Sequence, residues 1–389
     1  MNKKPVIVVS ATRFFQGGTL VIVNECLKFL SEYYSKTFII KALVSDPALY
    51  DPNPAIEWVS FPKSRKSIFN RLFDEYIGFK RLSKQWKPEL WLSLQDSTPN
   101  VEATTRAVYF HNPLLLKPKD LNLWKYQPRL GVLRLLYKYI YTRGIQKNDI
   151  VITQQLHIAD YLMSRYGLPY NKLRVFPPVE YILGRRDELL GTSNDSASQK
   201  VGADIGLEQK SGVFTFIYPA TAFYYKNHGL LLAACRLLVS KGIHDFKLLL
   251  TIDGSENNYV HKLLQQSRGF SQVELLGFQS RRTIYDYYRQ VDAMLFPSLL
   301  ESWGLPLTEF AGFEKPIICA DLPYAKETLA GYSKVAFFNP RDPGVLSELM
   351  ALAIKGQLKC CPSQQERQGD LLKTPKVVHT WEALFSELL

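Results

Sequence analysis

The densest group of chemically capable residues in this 389-residue chain lies in the run 296–321, FPSLLESWGLPLTEFAGFEKPIICAD. Two glutamates, Glu301 and Glu309, stand eight positions apart on either side of Gly304-Leu305-Pro306. A proline there suits the first turn of a helix, where no amide donor is needed. The pattern predicts a buried strand over 293–297, a loop over 298–303 and a helix from Leu305 onward. The free amides of Gly304, Leu305 and Leu307 would then point into the crevice at the carboxyl ends of parallel strands. Helix starts bind phosphate through such amides and through the helix dipole. Open α/β sheets collect their ligands at that edge. A carboxylate accepts two hydrogen bonds from a cis-diol, so either glutamate suits sugar or ribose hydroxyls. Taken singly, each also reads as a solvated loop glutamate or as a glutamate favoured by a helix start.

The first half offers less. Gly17-Gly18-Thr19 opens a helix after the first strand, and a glycine pair lets a backbone approach a ligand closely. His111 closes an apolar strand in AVYFHNP, a position where a lone histidine is most often structural.

The elements that position these residues follow from alternation. Short apolar runs separated by longer amphipathic stretches argue for βα units and parallel sheets. Strands are expected at 6–10, 38–44, 89–94, 107–111 and 149–153, and a first helix over 19–34. A helix after Thr153 should stop near Gly167-Leu168-Pro169. Phe176-Pro177-Pro178 ends the pattern, and the polar stretch 191–200 reads as a mobile loop. Alternation resumes with strands at 213–219, 246–252, 273–277, 293–297, 316–320 and 335–338. The reading is therefore an α/β fold with an N-terminal domain over 1–178, a C-terminal domain over 179–375, and a terminal amphipathic helix over 376–389 packing back toward the N-terminal domain.

Composition narrows the class. Hydrophobic residues make up 46% and charged residues 22%, a globular balance rather than a disordered one. The five cysteines form no Cys-x-x-Cys pair, which favours a reducing cytoplasm over a disulfide or zinc framework. No stretch reaches the roughly 18 apolar residues of a spanning helix. The net charge is +12, and residues 1–180 carry all of it, with 26 Lys+Arg against 14 Asp+Glu; the remainder balances at 22 against 22. Such asymmetry suits an anionic partner such as a membrane surface, or a solvated basic face. The run 129–147, RLGVLRLLYKYIYTRGIQK, places Leu130, Leu133, Leu136, Tyr137 and Ile140 at helical spacing among cations. It fits a membrane interface and equally a half-buried surface helix. Nothing matches a nucleic-acid-binding motif, and the first βα turn lacks Gly-x-Gly-x-x-Gly, which disfavours an oxidoreductase.

Five blocks, in order, resemble retaining GT-B glycosyltransferases of family 4. They are VITQQLHIADYLMSRYGLPYNKLRVFPP, YPATAFYYKNHGLLLAACRLL, TIDGSENNYVHKLL, VELLGFQSRRTIYDYYRQVDAMLFP and the Glu-x7-Glu signature itself. The resemblance implies two Rossmann-like doubly wound domains facing a central cleft. It implies a nucleotide-diphosphate sugar as donor, a glycan or lipid-linked glycan as acceptor, and no cofactor or metal. It places Glu309 on the ribose, Glu301 on the transferred sugar, and Lys226 on the diphosphate as a point charge. The amides of Trp303, Gly304 and Leu305 would lie near the sugar and diphosphate, Gly277 and Phe278 near the base, Gly17 and Gly18 near the diphosphate and acceptor, and His111 beside the sugar. Many similar enzymes build bacterial surface polysaccharides such as lipopolysaccharide, so a cytoplasmic protein at the inner face of the plasma membrane is expected. One departure stands out. The family's arginine five residues before the lysine is replaced by Thr221, with Arg281 and Arg282 as candidate substitutes. A nucleotide-sugar epimerase, a phosphorylase and a non-catalytic scaffold of this fold remain as alternatives.

Overall fold

The computed structural model describes residues 4–14, 18–116, 123–178, 212–265, 270–361 and 374–389. Gly17 and the polar stretch 191–200 lie outside them. The chain forms two compact units, the first comprising residues 1–116, 133–181 and 368–389 and the second residues 117–132 and 182–367.

The first half contains β1 (Val6–Ala11), α1 (Gly18–Tyr33), β2 (Ile39–Val44), β3 (Ile56–Ser60), α2 (Ile68–Phe73), α3 (Phe79–Trp86), β4 (Leu90–Ser93) and β5 (Thr105–Phe110). It continues with α4 (Leu123–Tyr126), α5 (Pro128–Thr142), β6 (Ile150–Thr153), α6 (Leu156–Tyr166) and β7 (Leu173–Val175). A π-helical turn over Asp74–Gly78 joins α2 to α3. The second half runs β8 (Phe214–Tyr218), α7 (His228–Ser240), β9 (Phe246–Leu250), α8 (Asn258–Gln265), β10 (Val273–Leu275), α9 (Arg281–Gln290) and β11 (Ala293–Phe296). It ends with α10 (Leu305–Ala311), β12 (Ile317–Ala320), α11 (Pro323–Thr328), β13 (Val335–Phe338) and α12 (Pro343–Ile354), followed by β14 (Lys376–Val377) and α13 (Trp381–Leu388).

The first sheet has the order β14-β7-β6-β5-β4-β1-β2-β3 and the second β10-β9-β8-β11-β12-β13. Every pairing in both is parallel. Central strands such as β1, β4, β6 and β11 are buried along their whole length. That is why they read as continuous apolar runs: a parallel sheet is covered on both faces. In each sheet the winding reverses beside the first strand of the unit, between β1 and β4 and between β8 and β11. Such a reversal opens a crevice at the carboxyl ends of the two strands.

Three strands escaped the sequence reading: β3, β7 and β14. β3 and β14 are the edge strands of the first sheet, and β14 is two residues long. Its pairing with Arg174 and Val175 of β7 comes from the neighbouring strand rather than from any pattern of its own. The segment 376–389 is therefore a strand followed by a helix, not a helix throughout. Within the first unit, α13 buries Trp381, Leu384, Phe385 and Leu388. Phe385 stacks on Phe29 at 5.6 Å and meets Tyr34 at 5.9 Å.

Residues 117–132 group with the second unit, which a single cut at 178 does not allow for. The reason lies in an aromatic cluster. Tyr126 stacks on Tyr224 at 4.3 Å and meets Tyr259 edge-on at 5.6 Å. The Gln127 side chain accepts from the Tyr224 amide at 3.0 Å and donates to the Ala222 carbonyl at 3.4 Å. Along α5, Leu130 and Leu133 are half-buried, whereas Leu136 faces outward beside Val132 and Leu135. The side chains of Tyr137 and Ile140 lie outside the described residues. The apolar stripe expected over 129–147 is thus divided where it can be followed.

Phe385→Ala should destabilise the first unit by about 3–5 kcal/mol, the cost of emptying a buried aromatic site. Chemical denaturation followed by near-UV circular dichroism measures this.

Candidate functional site

Two loops define the carboxyl edge of the second sheet at its reversal: 219–227 after β8 and 297–304 after β11. They are tied together by their backbones. The Leu299 amide donates to the Tyr225 carbonyl at 2.7 Å. Asn227, held at φ +61, donates its side-chain amide to the carbonyls of Pro297 at 3.2 Å and Pro340 at 2.9 Å. The Tyr218 hydroxyl donates to the Lys226 carbonyl at 2.8 Å, and the Tyr324 hydroxyl to the Ser298 carbonyl at 2.7 Å.

These ties bring Lys226 and Glu301, 75 positions apart, to 2.6 Å from Nζ to Oε1. Both side chains are largely covered, at 16% and 11% exposure. Lys226 Nζ also sits 5.7 Å from the Tyr225 ring centre. The Glu301 charge is felt by Tyr218, Tyr225, Tyr324 and Cys319; burial raises their pKa values and the carboxylate raises them further. All four therefore stay protonated at neutral pH. Lys226 is the principal fixed positive charge next to Glu301, and the pair is charge-neutral as it stands.

The helix start expected at Leu305 is present. Gly304 is its N-cap at φ +84 and Pro306 occupies the first turn. A side chain at Gly304 would be strained there and would meet Leu307 at 3.2 Å. Among the described residues, nothing accepts from the amides of Trp303, Gly304 or Leu305. Leu307 differs from the expectation: its amide donates to the Gly304 carbonyl at 2.8 Å, because the first turn closes tightly, so it is not free for a ligand. The helix is only seven residues long, so its dipole is modest. Trp303 is buried; its indole donates to the Thr308 hydroxyl at 2.8 Å and its carbonyl accepts from the Thr328 hydroxyl. Those bonds fix the plane of the peptide that leads into Gly304.

Glu309 does not touch Lys226 or Glu301. It pairs with Arg281 at 2.8 Å. Burial raises its carboxyl pKa, while Arg281 pulls it back down. Arg281, a candidate substitute for the arginine missing at Thr221, pairs with Glu309. Gly277, at φ +65, follows β10, and a side chain there would lie 3.3 Å from the Asp253 carboxylate. Phe278 beside it is 94% exposed, an open ring surface rather than a packed one.

The first unit repeats the arrangement at its own reversal. Thr12 after β1 donates its hydroxyl to Gln95 after β4 at 3.1 Å. Gln95 in turn donates to Glu75 at 2.9 Å, and Glu75 accepts from Arg71 Nε at 2.5 Å inside the core. The π-helical turn delivers Glu75 to that position. Next to Gln95, Asp96 adopts φ +65, rare for a non-glycine residue. Its carboxylate accepts from the backbone amides of His111 and Asn112, the latter at 2.8 Å. Burial raises the Asp96 pKa, opposed by Arg13 and by the two amides; Arg13 lies 3.9 Å away.

A pocket of about 290 Å³ is lined by Arg13, Phe14, Thr19, Asp96, His111, Asn112 and Pro113. His111 is buried edge-on against Phe14 at 5.6 Å, and its Nδ1 lies 3.4 Å from Gln154 Nε2. Among the described residues its Nε2 makes no hydrogen bond. Burial drives its pKa down to about 3, with the Leu94 carbonyl pulling slightly upward, so the ring is neutral near pH 7. Gly18 begins α1 at the same sheet edge. The sequence points to His111 but not to Arg13 and Asp96, which line the same pocket. Both stand two or three positions past the ends of the strands flanking the reversal, which is the signal that could have exposed them.

Residues 206–369 match the Glycosyl transferases group 1 family, which places a domain of that kind in the second unit. No curated protein sequence matches the chain. Solved structures resemble it over nearly its whole length. Sucrose-phosphate synthase from Thermosynechococcus elongatus aligns at TM-score 0.64 and 14% identity, covering 91% of this chain and 92% of its own. WaaG, a glycosyltransferase involved in lipopolysaccharide biosynthesis, aligns at 0.61 and 12%, covering 90% of each. An α,α-trehalose-phosphate synthase from Burkholderia vietnamiensis aligns at 0.61 and 12%, covering 91% and 92%. The chain therefore has the GT-B architecture of two parallel-sheet α/β domains, with a glycosyl transferases group 1 domain in its second half.

A neutral buried histidine binds no proton until the pH falls to about 3, whereas the unfolded ring does so from its ordinary value of 6.5. The unfolded state thus takes up more protons as the pH falls, and stability declines from about pH 6.5 downward. Asp96, shifted upward, contributes the opposite sign. His111→Asn should flatten the decline in melting temperature between pH 6.5 and 4; an unchanged slope would show that His111 does not carry it.

Proposed function

We propose that the protein is a retaining, metal-independent glycosyltransferase. It moves a hexose-type sugar from a nucleotide-diphosphate donor to a glycan or lipid-linked glycan in the assembly of a bacterial surface polysaccharide. The observation that supports this reading most is the Lys226–Glu301 pair at the winding reversal of a glycosyl transferases group 1 domain.

Cleaving a glycosyl–phosphate bond builds negative charge on the departing diphosphate and positive charge on the sugar. Preorganised donors around the leaving group are the largest available help. In this reading a diphosphate draws Lys226 from Glu301, and the unused amides of Trp303, Gly304 and Leu305 complete its cradle. Glu301, released from the lysine, accepts from hydroxyls of the transferred sugar. Glu309 accepts from the ribose diol, with Arg281 holding its carboxylate in place. Phe278 and Gly277 offer the base a flat ring and an unobstructed strand end. Lys226 supplies the cationic charge that a divalent metal gives other transferases. In the first unit, the Asp96-anchored pocket offers the neutral His111 Nε2 and the Arg13 guanidinium to sugar or acceptor hydroxyls.

Retention through an enzyme nucleophile would need a carboxylate free to attack the anomeric carbon. Glu301 is committed to the hydroxyls of the transferred sugar, so attack on the face that the diphosphate leaves is favoured, with the diphosphate taking the acceptor proton. The excess positive charge of residues 1–180 supports peripheral association with the inner face of the plasma membrane.

A screen of nucleotide sugars by thermal shift identifies the donor, since a ligand that binds only the native state raises its melting temperature. With that donor, Lys226→Ala and Glu301→Gln should each lower kcat/KM for transfer by about a hundredfold or more. Turnover should survive a chelator, and the product should keep the donor's anomeric configuration by NMR. Donor consumed without acceptor would point to an epimerase, and tight binding without turnover to a scaffold.

A further inference from the structure

We propose that the outward face of residues 63–84 is where the protein seats itself on an anionic lipid bilayer, a proposal that rests on the peripheral-association part of the function above. α2, the π-helical turn and α3 form one continuous helical rod, with Phe73, Asp74, Gly78 and Phe79 all in helical conformation. Phe69, Phe73 and Ile77 repeat every four residues on its outer side and are 79%, 56% and 42% exposed. Steps of four drift around an ordinary α-helix, which has 3.6 residues per turn. The wider i→i+5 bonding of the π turn offsets that drift and keeps the three side chains aligned. Soluble proteins rarely line up large apolar side chains this way on a free surface.

The charges around the stripe select the partner. Lys63, Arg65 and Lys66 precede it, and Lys80, Arg81 and Lys84 follow it. The two acids within the rod turn elsewhere: Asp74 accepts from Ser64 at 2.6 Å, and Glu75 is buried against Arg71 and Gln95. Lys84 also meets Glu102 at 3.7 Å on the surface. An apolar strip bracketed by cations is what an interfacial helix presents to acidic headgroups and the acyl boundary. A second copy of the chain is a poor match. Its own stripe would bring cations against cations, and three side chains of at most about 250 Å² each fall short of the roughly 800 Å² per partner of a stable interface. Residues 129–147 also suit a membrane interface by sequence, and α5 exposes Val132, Leu135 and Leu136 as well, which makes it the natural control.

The test is flotation of the full-length protein at low salt with vesicles of phosphatidylcholine mixed with phosphatidylglycerol, against phosphatidylcholine alone. Wild type should float with the anionic vesicles only and be released by high salt. Phe69→Ser/Phe73→Ser should lower the bound fraction at least tenfold without changing the melting temperature, and Leu135→Ser/Leu136→Ser should bind as wild type. Wild-type flotation that survives in the phenylalanine variant would overturn this face while leaving membrane association intact. Wild type that fails to float on anionic vesicles overturns both, while transfer to a soluble acceptor would still stand. Light scattering that shows a wild-type dimer broken by the phenylalanine substitutions assigns the stripe to a second copy and overturns the bilayer.

Discussion

The lysine–glutamate contact at the reversal of the second sheet is the interaction around which the candidate site is organised. A cation and an anion withdrawn from water compensate each other only if they are held at hydrogen-bond distance. The fold provides this by lashing the loop after β8 to the loop after β11 through Leu299 and Asn227, while Tyr218 holds the Lys226 carbonyl from the end of β8. A charge-neutral pair tolerates partial burial without a ligand. It can also exchange one anionic partner for another, since a lysine is a compact point charge that re-pairs at little geometric cost.

The first unit solves the same topological problem with different chemistry. Its reversal between β1 and β4 is bridged by Thr12 and Gln95, and behind them lies a buried arginine–glutamate pair seated by a π turn. That network fixes the segment in which Asp96 holds a left-handed backbone and clasps the amides at the end of β5. The consequence is a pocket around a desolvated, neutral histidine. Its Nε2, unbonded among the described residues, keeps a hydrogen-bonding valence that the core does not use.

The terminal segment shows how far the chain must travel to finish a domain. Residues 374–389 supply the last strand of the first sheet, and their helix covers Phe29 and Tyr34 of that unit. Conversely, Tyr126 and Gln127 belong with Tyr224 and Tyr259 in the second. The boundary in the sequence is therefore not the boundary in space, because aromatic packing and strand pairing recruit whatever residues reach them.

Much of this was determined by the sequence alone. Continuous apolar runs identified the central strands, since a strand covered on both faces tolerates little else. Gly304-Leu305-Pro306 announced the helix start, because glycine takes a left-handed cap without steric cost and proline's fixed φ suits a first helical turn. The spacing of Glu301 and Glu309 around that helix start marked a candidate site, and the family resemblance added Lys226 to it. Only the tertiary structure decided the partners: that Lys226 meets Glu301, that Arg281 goes to Glu309, that Leu307 spends its amide on Gly304, and that Asp96 and Arg13 join His111. Local patterning records whether a residue will be buried and in which element. Which side chains meet across tens of positions is set by strand order and loop closure, and no short stretch of sequence encodes those.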